Sequence, residues 1–325
     1  MYKQPSSKVE IDASRAALSA CPVAAIRVET TIPKNKSIQQ QEQQEKTMRS
    51  HEEQQQRELA SQMALSPKHN GLDLPFPRLL TDNVWFVGHH NEASFGAVPY
   101  LTVVGNDDDE TWIMVDTPKY SKSAVETVTS LTGPDGPNYL LLTHVDDTAD
   151  HGKWKERFPN LKRIFHSGDL GPHNWLGDKT LEDVEVLLKT PKESNEKDEL
   201  VGFDLEGNVL HSNDNYRKNE AVVLHTPGHS PGSVTLYVPS RGVVFTGDTL
   251  GYTQRTKTLT GFPRYGNNLQ TQKDTLEKLG HLEWEVVAPG HGHARDYTHY
   301  KNKGAKEKEL DEAIQELQSY GARRY

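Results

Sequence analysis

Cysteine is almost absent. One thiol, Cys21, stands in 325 residues, so no internal disulfide forms and a sulfur-rich structural zinc site is excluded. Positive charge is also short. Against 46 Asp and Glu there are 37 Lys and Arg, a formal net charge of −9, without the broad basic field that nonspecific nucleic-acid binding needs. No apolar run approaches the roughly 20 residues of a membrane-spanning helix, and the opening MYKQPSSKVEIDASR has no apolar leader segment. These absences lead us to expect a soluble, intracellular protein, cytoplasmic or plastid, with neither a membrane nor nucleic acid among its partners. Hydrophobic residues make up only 34% of the chain. Part of the deficit is the stretch SIQQQEQQEKTMRSHEEQQQREL (37–59), which is too polar to bury a core of its own.

Four zones follow from this patterning. Residues 1–36 hold the compact phrase AALSACPVAAIRVETT, and residues 37–70 read as a polar linker or exposed helix. From 75 to 300 the chain is punctuated by Gly, Pro and Asp between short β-rich runs, and residues 301–325 form a charged amphipathic helix. Strands are expected at NVWFVG (83–88), YLTVVG (100–105), TWIMVD (111–116), YLLLT (139–143), RIFH (163–166), AVVLHT (221–226), VTLYV (234–238), GVVFTGD (242–248) and WEVVAPG (284–290). Helices are expected at 121–131, 151–158 and 269–282. Many strands with helices spread among them imply two sheets covered by helices.

Several of these strands end in residues that bind metals. THVDDTADH (143–151) supplies His144, Asp146, Asp147, Asp150 and His151; HTPGHSPGS (225–233) supplies His229; FTGDT (245–249) supplies Asp248; APGHGH (288–293) supplies His291. Strand ends are rigid enough to hold side chains within a metal's narrow distance tolerance, and the glycines let the backbone turn sharply beside each ligand. Imidazole and carboxylate together suit zinc, iron or manganese.

In order and context these phrases resemble the markers of the metallo-β-lactamase superfamily: T-H-x-H-x-D-H, a later G-H-[ST] turn, G-D and a final G-H. The resemblance spans most of residues 80–295. It implies an α+β fold, a four-layer αβ/βα sandwich of two mixed β-sheets covered by helices, with metal at the sheet edge. It also implies that His144, Asp150, His151, His229, Asp248 and His291 take the matching ligand positions, with Asp248 bridging two ions. Asp146 stands where the family has its second histidine, and two extra residues precede the Asp150–His151 pair. Asp146 therefore joins the expected ligand set, with Asp147 a competitor for the same role. A narrower resemblance, to a cyanobacterial and plant subgroup, rests on the TH-x-DD-x-ADH loop and on SFGA within ASFGAVPYL (93–101). In that subgroup a ferredoxin-like segment precedes the hydrolase domain. CPVAAIRVET (21–30) resembles the last-cysteine phrase of such a segment, but one cysteine cannot hold an Fe–S cluster, so a degenerate remnant is expected.

The chemistry implied is hydrolysis of a small ester, thioester or phosphoester by metal-activated hydroxide. One or two divalent ions are expected, zinc first, iron or manganese as alternatives. Asp150 is the expected catalytic residue, ligating and orienting the nucleophile. Asp116 is a candidate to orient a ligand imidazole or to cap a turn. Tyr252, Arg264 and Tyr265, in the segment after Asp248, are the expected substrate contacts, and His89, His90, His166, His173 and His293 are read as structural or exposed. Competing readings are an iron-dependent redox enzyme, sulfur dioxygenase-like or diiron, because a carboxylate replaces the second histidine; a nuclease of the same fold; and a non-catalytic member with a degenerate site.

Overall fold

The structure is a computed structural model. It describes residues 76–106, 109–191, 199–210, 219–298 and 304–322, together with Ser7, Tyr216 and two short strands, β1 (Lys68–His69) and β2 (Leu72–Asp73). The expected N-terminal segment 1–36, with Cys21, and most of the linker 37–70 lie outside the described residues.

Two seven-stranded sheets form the body. The first runs in chain order: β3 (Arg78–Thr81), β4 (Val84–Phe86), β5 (Tyr100–Val104), β6 (Thr111–Val115), β7 (Tyr139–Leu141), β8 (Lys162–His166) and β9 (Val186–Leu188). Its pairings are antiparallel from β3 to β6 and parallel from β6 to β9. The second sheet has β10 (Gly202–Phe203), β11 (Val209–Leu210), β12 (Val222–His225), β13 (Val234–Val238), β14 (Val243–Gly247), β17 (Val286–Pro289) and β18 (Arg295–Asp296), in the spatial order β11-β10-β12-β13-β14-β17-β18. Only β14 and β17 pair in parallel there. A hairpin of β15 (Gly251–Thr253) and β16 (Thr258–Thr260) stands apart.

Strand alternation decides what each sheet buries. Tyr100, Val104, Ile113, Val115, Leu141 and Ile164 point inward from the first sheet against Val223, Val234, Leu236, Val243, Phe245 and Val286 of the second. Their neighbours Leu101, Met114, Leu140 and Phe165 face outward, where α1 (Lys122–Thr132) and α2 (His151–Arg157) cover them with Ala124, Val128 and Trp154. On the far side Val222, Leu224, Val244 and Val287 pack under α3 (Leu269–Gly280) and α4 (Ala305–Gly321) through Leu276, Leu279, Leu310, Ala313 and Leu317. The order helix, sheet, sheet, helix is the expected four-layer α+β sandwich. Local chemistry starts the helices: Ser121 caps α1 by accepting from Ala124 N–H (3.1 Å), and Asn268 caps α3 by accepting from Thr271 N–H (3.0 Å). Among the described residues, no helix is long and apolar enough to cross a membrane.

The two sheets are also joined by a polar clasp. The rings of His166, at the end of β8, and His225, at the end of β12, stack with centroids 4.0 Å apart. Gly168 N–H donates to His166 Nδ1 (3.0 Å), so the neutral ring carries its proton on Nε2 and gives it to Thr190 Oγ1 (2.9 Å). Thr190 in turn donates to His225 Nδ1 (2.8 Å), and His225 Nε2 donates to the Pro231 carbonyl (2.9 Å). Every acceptor nitrogen in this chain is used, so both imidazoles are held neutral. Burial, with the His225 ring beside it, pushes the His166 pKa down to about 3. A histidine depressed in this way binds fewer protons folded than unfolded. Its contribution to stability is therefore full above about pH 6.5 and is lost as the pH falls toward 3. Lowering the pH from 7 to 5 is expected to cost about 2 kcal/mol through His166. Urea unfolding at both pH values would give a shallower pH slope for His166→Gln; identical slopes would contradict the clasp.

Candidate metal centre

The clustered side chains lie where strands of both sheets end at one edge. His144 follows β7 and begins a single 3-10 turn, Val145–Asp147. Residues three apart eclipse one another on such a turn, which brings Asp147 Oδ2 back to 3.7 Å from His144 Nδ1. His229 follows β12, Asp248 follows β14 and His291 follows β17. Two glycines make the convergence sterically possible. A Cβ at Gly290 would stand 2.9 Å from Asp147 Oδ2 and 3.2 Å from Asp248 Oδ1, and one at Gly247 would meet the Thr143 side chain at 2.5 Å.

Two overlapping groups result. His144, Asp146 and His229 offer ligand atoms within 4.8 Å of one another, and so do His144, Asp147 and Asp248. Asp146 Oδ2 lies 3.7 Å from His144 Nε2 and 3.8 Å from His229 Nε2. Asp248 Oδ2 lies 3.9 Å and 3.7 Å from the same two nitrogens. The imidazole planes of His144 and His229 stand at 89°. His291 joins from the side, its Nδ1 donating to Asp248 Oδ1 at 2.7 Å and its Nε2 to the Phe95 carbonyl at 3.2 Å.

A hydrogen-bonded shell holds these groups in place. Asp116, at the end of β6, accepts from Thr143 N–H (2.9 Å) and Thr143 Oγ1 (3.0 Å), and the same hydroxyl contacts His144 Nδ1 at 3.1 Å. Asp116 thus acts on His144 through Thr143. Asp169, fully buried after β8, ties the His144 turn to the His229 turn. It accepts from Val145 N–H (3.0 Å), Ser230 Oγ (2.7 Å) and Gly232 N–H (2.6 Å). Sequence reading passed over Asp169, although HSGD (166–169) after a strand carries the same signal as TGD (246–248).

Two expected ligands lie elsewhere. Asp150 starts α2 at φ 64°. Its carboxylate accepts from Asn91 Nδ2 (3.0 Å), Tyr120 N–H (2.9 Å) and Lys153 Nζ (2.7 Å). His151 Nε2 donates toward Asp178 Oδ2 and Thr180 Oγ1, both at 3.1 Å, while its Nδ1 accepts from Arg163 at 3.1 Å. The two extra residues of the loop account for this, because the 3-10 turn closes at Asp147 and the chain has left the cluster by residue 150. Asp147, the competitor of Asp146, enters alongside it.

The expected substrate contacts divide. Tyr252 is buried in the second sheet's outer core, with the Arg295 guanidinium 4.4 Å above its ring. Arg264 and Tyr265 are exposed on a segment that docks on the His229 turn, where Asn267 N–H donates to His229 O (3.0 Å) and Asn268 N–H to Gly228 O (2.8 Å). His89 contacts Thr127, His90 Nδ1 donates to the Gly96 and Ala97 carbonyls, and His293 pairs through its backbone with Tyr252. Trp175, not singled out by sequence, donates its indole N–H to Asp146 Oδ1 at 2.6 Å.

The electrostatics are those of crowded buried charge. Burial, followed by the neighbouring Asp116, Asp248 and Asp146 carboxylates, holds Asp147 well above the usual carboxylate range. Burial likewise pushes Asp116 up to about 7 and His144 down to about 4. Burial opposes ionisation of Asp248 too, but the His291 hydrogen bond and the surrounding imidazoles overcome it and hold that carboxyl far below its ordinary value. The same contact, against the effect of burial, raises His291 to about 9, as two acceptors facing its two nitrogens require.

The family model described as "Metallo-beta-lactamase superfamily" matches residues 98–291. A probable metallo-hydrolase, YqgX of Bacillus subtilis (strain 168), is 34% identical over 166 residues, which cover 49% of this chain and 71% of that protein. Among solved structures, the DIM-1 metallo-β-lactamase aligns over 74% of this chain and 96% of its own at 15% identity, with a TM-score of 0.48. The metallo-β-lactamase FIM-1 from Pseudomonas aeruginosa, in its mono-zinc form, covers 75% and 94% at 15% identity with the same TM-score. With strand-end histidines and aspartates in the family's order across most of its described length, this chain belongs to the metallo-β-lactamase superfamily.

Proposed function

We propose that the chain is a metal-dependent hydrolase of a small ester, thioester or phosphoester. The observation that carries this reading is a set of buried polar atoms with no partner inside the protein. His144 Nε2, both Asp147 oxygens and His229 Nδ1 are buried without any hydrogen bond. A buried polar atom left unpaired costs about 1–3 kcal/mol, more when charged. Of these, His144 Nε2 and the Asp147 oxygens face the cluster, beside His229 Nε2 and the Asp146 and Asp248 carboxylates, and orphans so placed argue for a group that these residues jointly hold. Three carboxylates and three imidazoles fit one or two divalent cations, with zinc first and iron or manganese as alternatives.

On this reading His144, Asp146 and His229 hold one ion, and Asp147, Asp248 and His291 hold the second beside it. The chemistry that a divalent cation held by these residues would supply is a hydroxide at neutral pH and polarisation of a carbonyl or phosphoryl oxygen. Asp248, beside His144, His229 and His291, would serve both groups. Asp147 takes the nucleophile-orienting place that the family pattern assigns to Asp150, whose oxygens are already bonded to Asn91, Tyr120 and Lys153. Thr143, held by Asp116, fixes the His144 ring so that Nε2 faces the cluster. The open side of the centre lies at Asp146 and His291, whose side chains are 19% and 27% exposed. Phe95 and Trp175, both exposed, adjoin those two residues, and Arg264 and Tyr265 border the His229 turn. A substrate with an apolar acyl portion suits that border.

Asp146 in place of an imidazole makes the donor set harder and favours a second reading, an iron-dependent oxygen chemistry. Elemental analysis of protein produced with zinc, iron and manganese available separates the two. Two ions per chain with esterase, thioesterase or phosphoesterase turnover supports hydrolysis; a single iron with oxygen consumption replaces it. Asp248→Ala is expected to lower turnover by about 10²–10³-fold and to strip metal. Unchanged metal content in that variant points to a non-catalytic member. Asp147→Asn relieves one of the crowded carboxylates and is expected to raise the melting temperature of the metal-free protein by about 2–4 °C. The same change weakens metal uptake, so a variant that gains stability and keeps full metal affinity contradicts the ligand role.

A further inference from the structure

Asp146 raises a problem that a histidine in its place would not. An imidazole presents one donor nitrogen in a direction set by its ring. A carboxylate turns about a soft final torsion and offers either oxygen or both. Something must therefore choose the oxygen that faces His144 and His229.

Trp175 is positioned to make that choice. It stands in GPHNWLGD (171–178), a short excursion between β8 and β9, with half its surface in solvent. Burial of its ring therefore does not explain its position. Its indole N–H reaches Asp146 Oδ1 at 2.6 Å, a short charge-assisted contact. Oδ2 is left as the oxygen facing both imidazoles, at 3.7 and 3.8 Å. Trp175 is a donor only, and a hydrogen bond to an ionised oxygen is the stronger one, so it favours the ionised carboxylate over the protonated form.

The loop that presents the indole is braced. Asn174 Oδ1 accepts from Gly177 N–H (3.1 Å), and Asn174 Nδ2 donates to the Asp178 carbonyl (2.7 Å). Asp178 Oδ2 then receives His151 Nε2 at 3.1 Å, and the His151 ring is held from behind by Arg163. Arg163 is itself fixed on Glu185, its Nε donating to Oε2 (3.0 Å) and its Nη2 to Oε1 (3.1 Å). The motif histidine that left the cluster thus anchors the loop whose tip returns to it.

We propose that Trp175 is a positioning residue for the metal centre. Its indole N–H pins Asp146 Oδ1 so that Oδ2 alone is presented as a ligand, and the Arg163–His151–Asp178 chain holds the loop in reach. The proposal rests on the metal-centre reading above and assigns a residue outside the ligand set to it.

The test is a titration of the full-length chain with zinc and cobalt ions, each in competition with a chromophoric chelator. Trp175→Phe keeps the ring and removes the donor. It is expected to weaken the tighter ion by about tenfold to a hundredfold, the range typical when an outer partner of a metal ligand is lost, while leaving the metal-free melting temperature unchanged. Because the effect runs through one carboxylate, Trp175→Phe should add nothing in an Asp146→Ala background. Affinity within about threefold of the natural chain overturns the proposal. So does an equal loss in both backgrounds, the signature of a packing role. A natural chain that takes up neither ion overturns this proposal together with the ligand assignment. The readout is binding, so tight zinc uptake without any turnover removes the hydrolase reading and leaves the Trp175 result to stand on its own curves.

Discussion

Three buried or nearly buried carboxylates held against each other are the constraint around which the edge of this protein is built. Ligand atoms of Asp147 and Asp248 lie within 4.8 Å of each other. At that separation two full charges repel by about 3–4 kcal/mol at an effective dielectric of 20. Asp116 adds to the same crowd from the end of β6. Partial relief comes from inside the chain: the Thr143 amide and hydroxyl on Asp116, and the His291 imidazolium on Asp248. Asp147 receives none. The protein tolerates the arrangement because the strands that carry it are fixed by a close-packed core between the sheets, and a chain with a softer frame would move the carboxylates apart.

The position of Asp150 and His151 follows from the same loop. With only one residue between His144 and Asp146, and Asp147 next in line, the 3-10 turn places Asp147 over His144, three residues earlier, and fills the centre early. The remainder of the loop then becomes structural. Asp150, in a left-handed conformation, gathers Asn91, Tyr120 and Lys153, and so joins the segment before β5 and the start of α1 to the start of α2. His151 turns toward Arg163 and Asp178. Residue types suited to metal binding are here used as ordinary hydrogen-bonding groups, because both nitrogens of the ring and both oxygens of the carboxylate already have partners.

Much of the fold was legible because its strands bury both faces or strictly alternate. Runs such as YLTVV, VTLYV and VVFTG are rich in β-branched and aromatic residues, and all of them form strands. The strands that sequence reading missed are short, with little signal of their own. β10 and β11 have two residues each, and β18 exists because Arg295 and Asp296 lie along β17. In the site, glycine beside His229, Asp248 and His291 marked where strands turn, and those residues do converge. Asp150 and His151 were misplaced because spacing alone cannot show where a turn closes. Tyr252 was read as facing substrate because it follows Asp248 closely, yet the β15–β16 hairpin turns it into the core under Arg295. Trp175 was invisible because its contact with Asp146 spans 29 residues and no local pattern announces it.

The division of the proposed ligands between the sheets has an energetic consequence. His144, Asp146 and Asp147 come from the loop after β7 in the first sheet, whereas His229, Asp248 and His291 come from loops after β12, β14 and β17 in the second. Neither half holds a complete set. The apolar interface, the His166–His225 clasp and the Asp169 tie already join the halves. On the proposed reading, a cation shared by both groups would add its binding free energy to that junction, because the unfolded chain cannot present the six side chains together. Metal affinity and sheet docking are then two readings of one equilibrium. The polar contacts around the centre, which position ligands one at a time, also determine how much of that free energy reaches the fold.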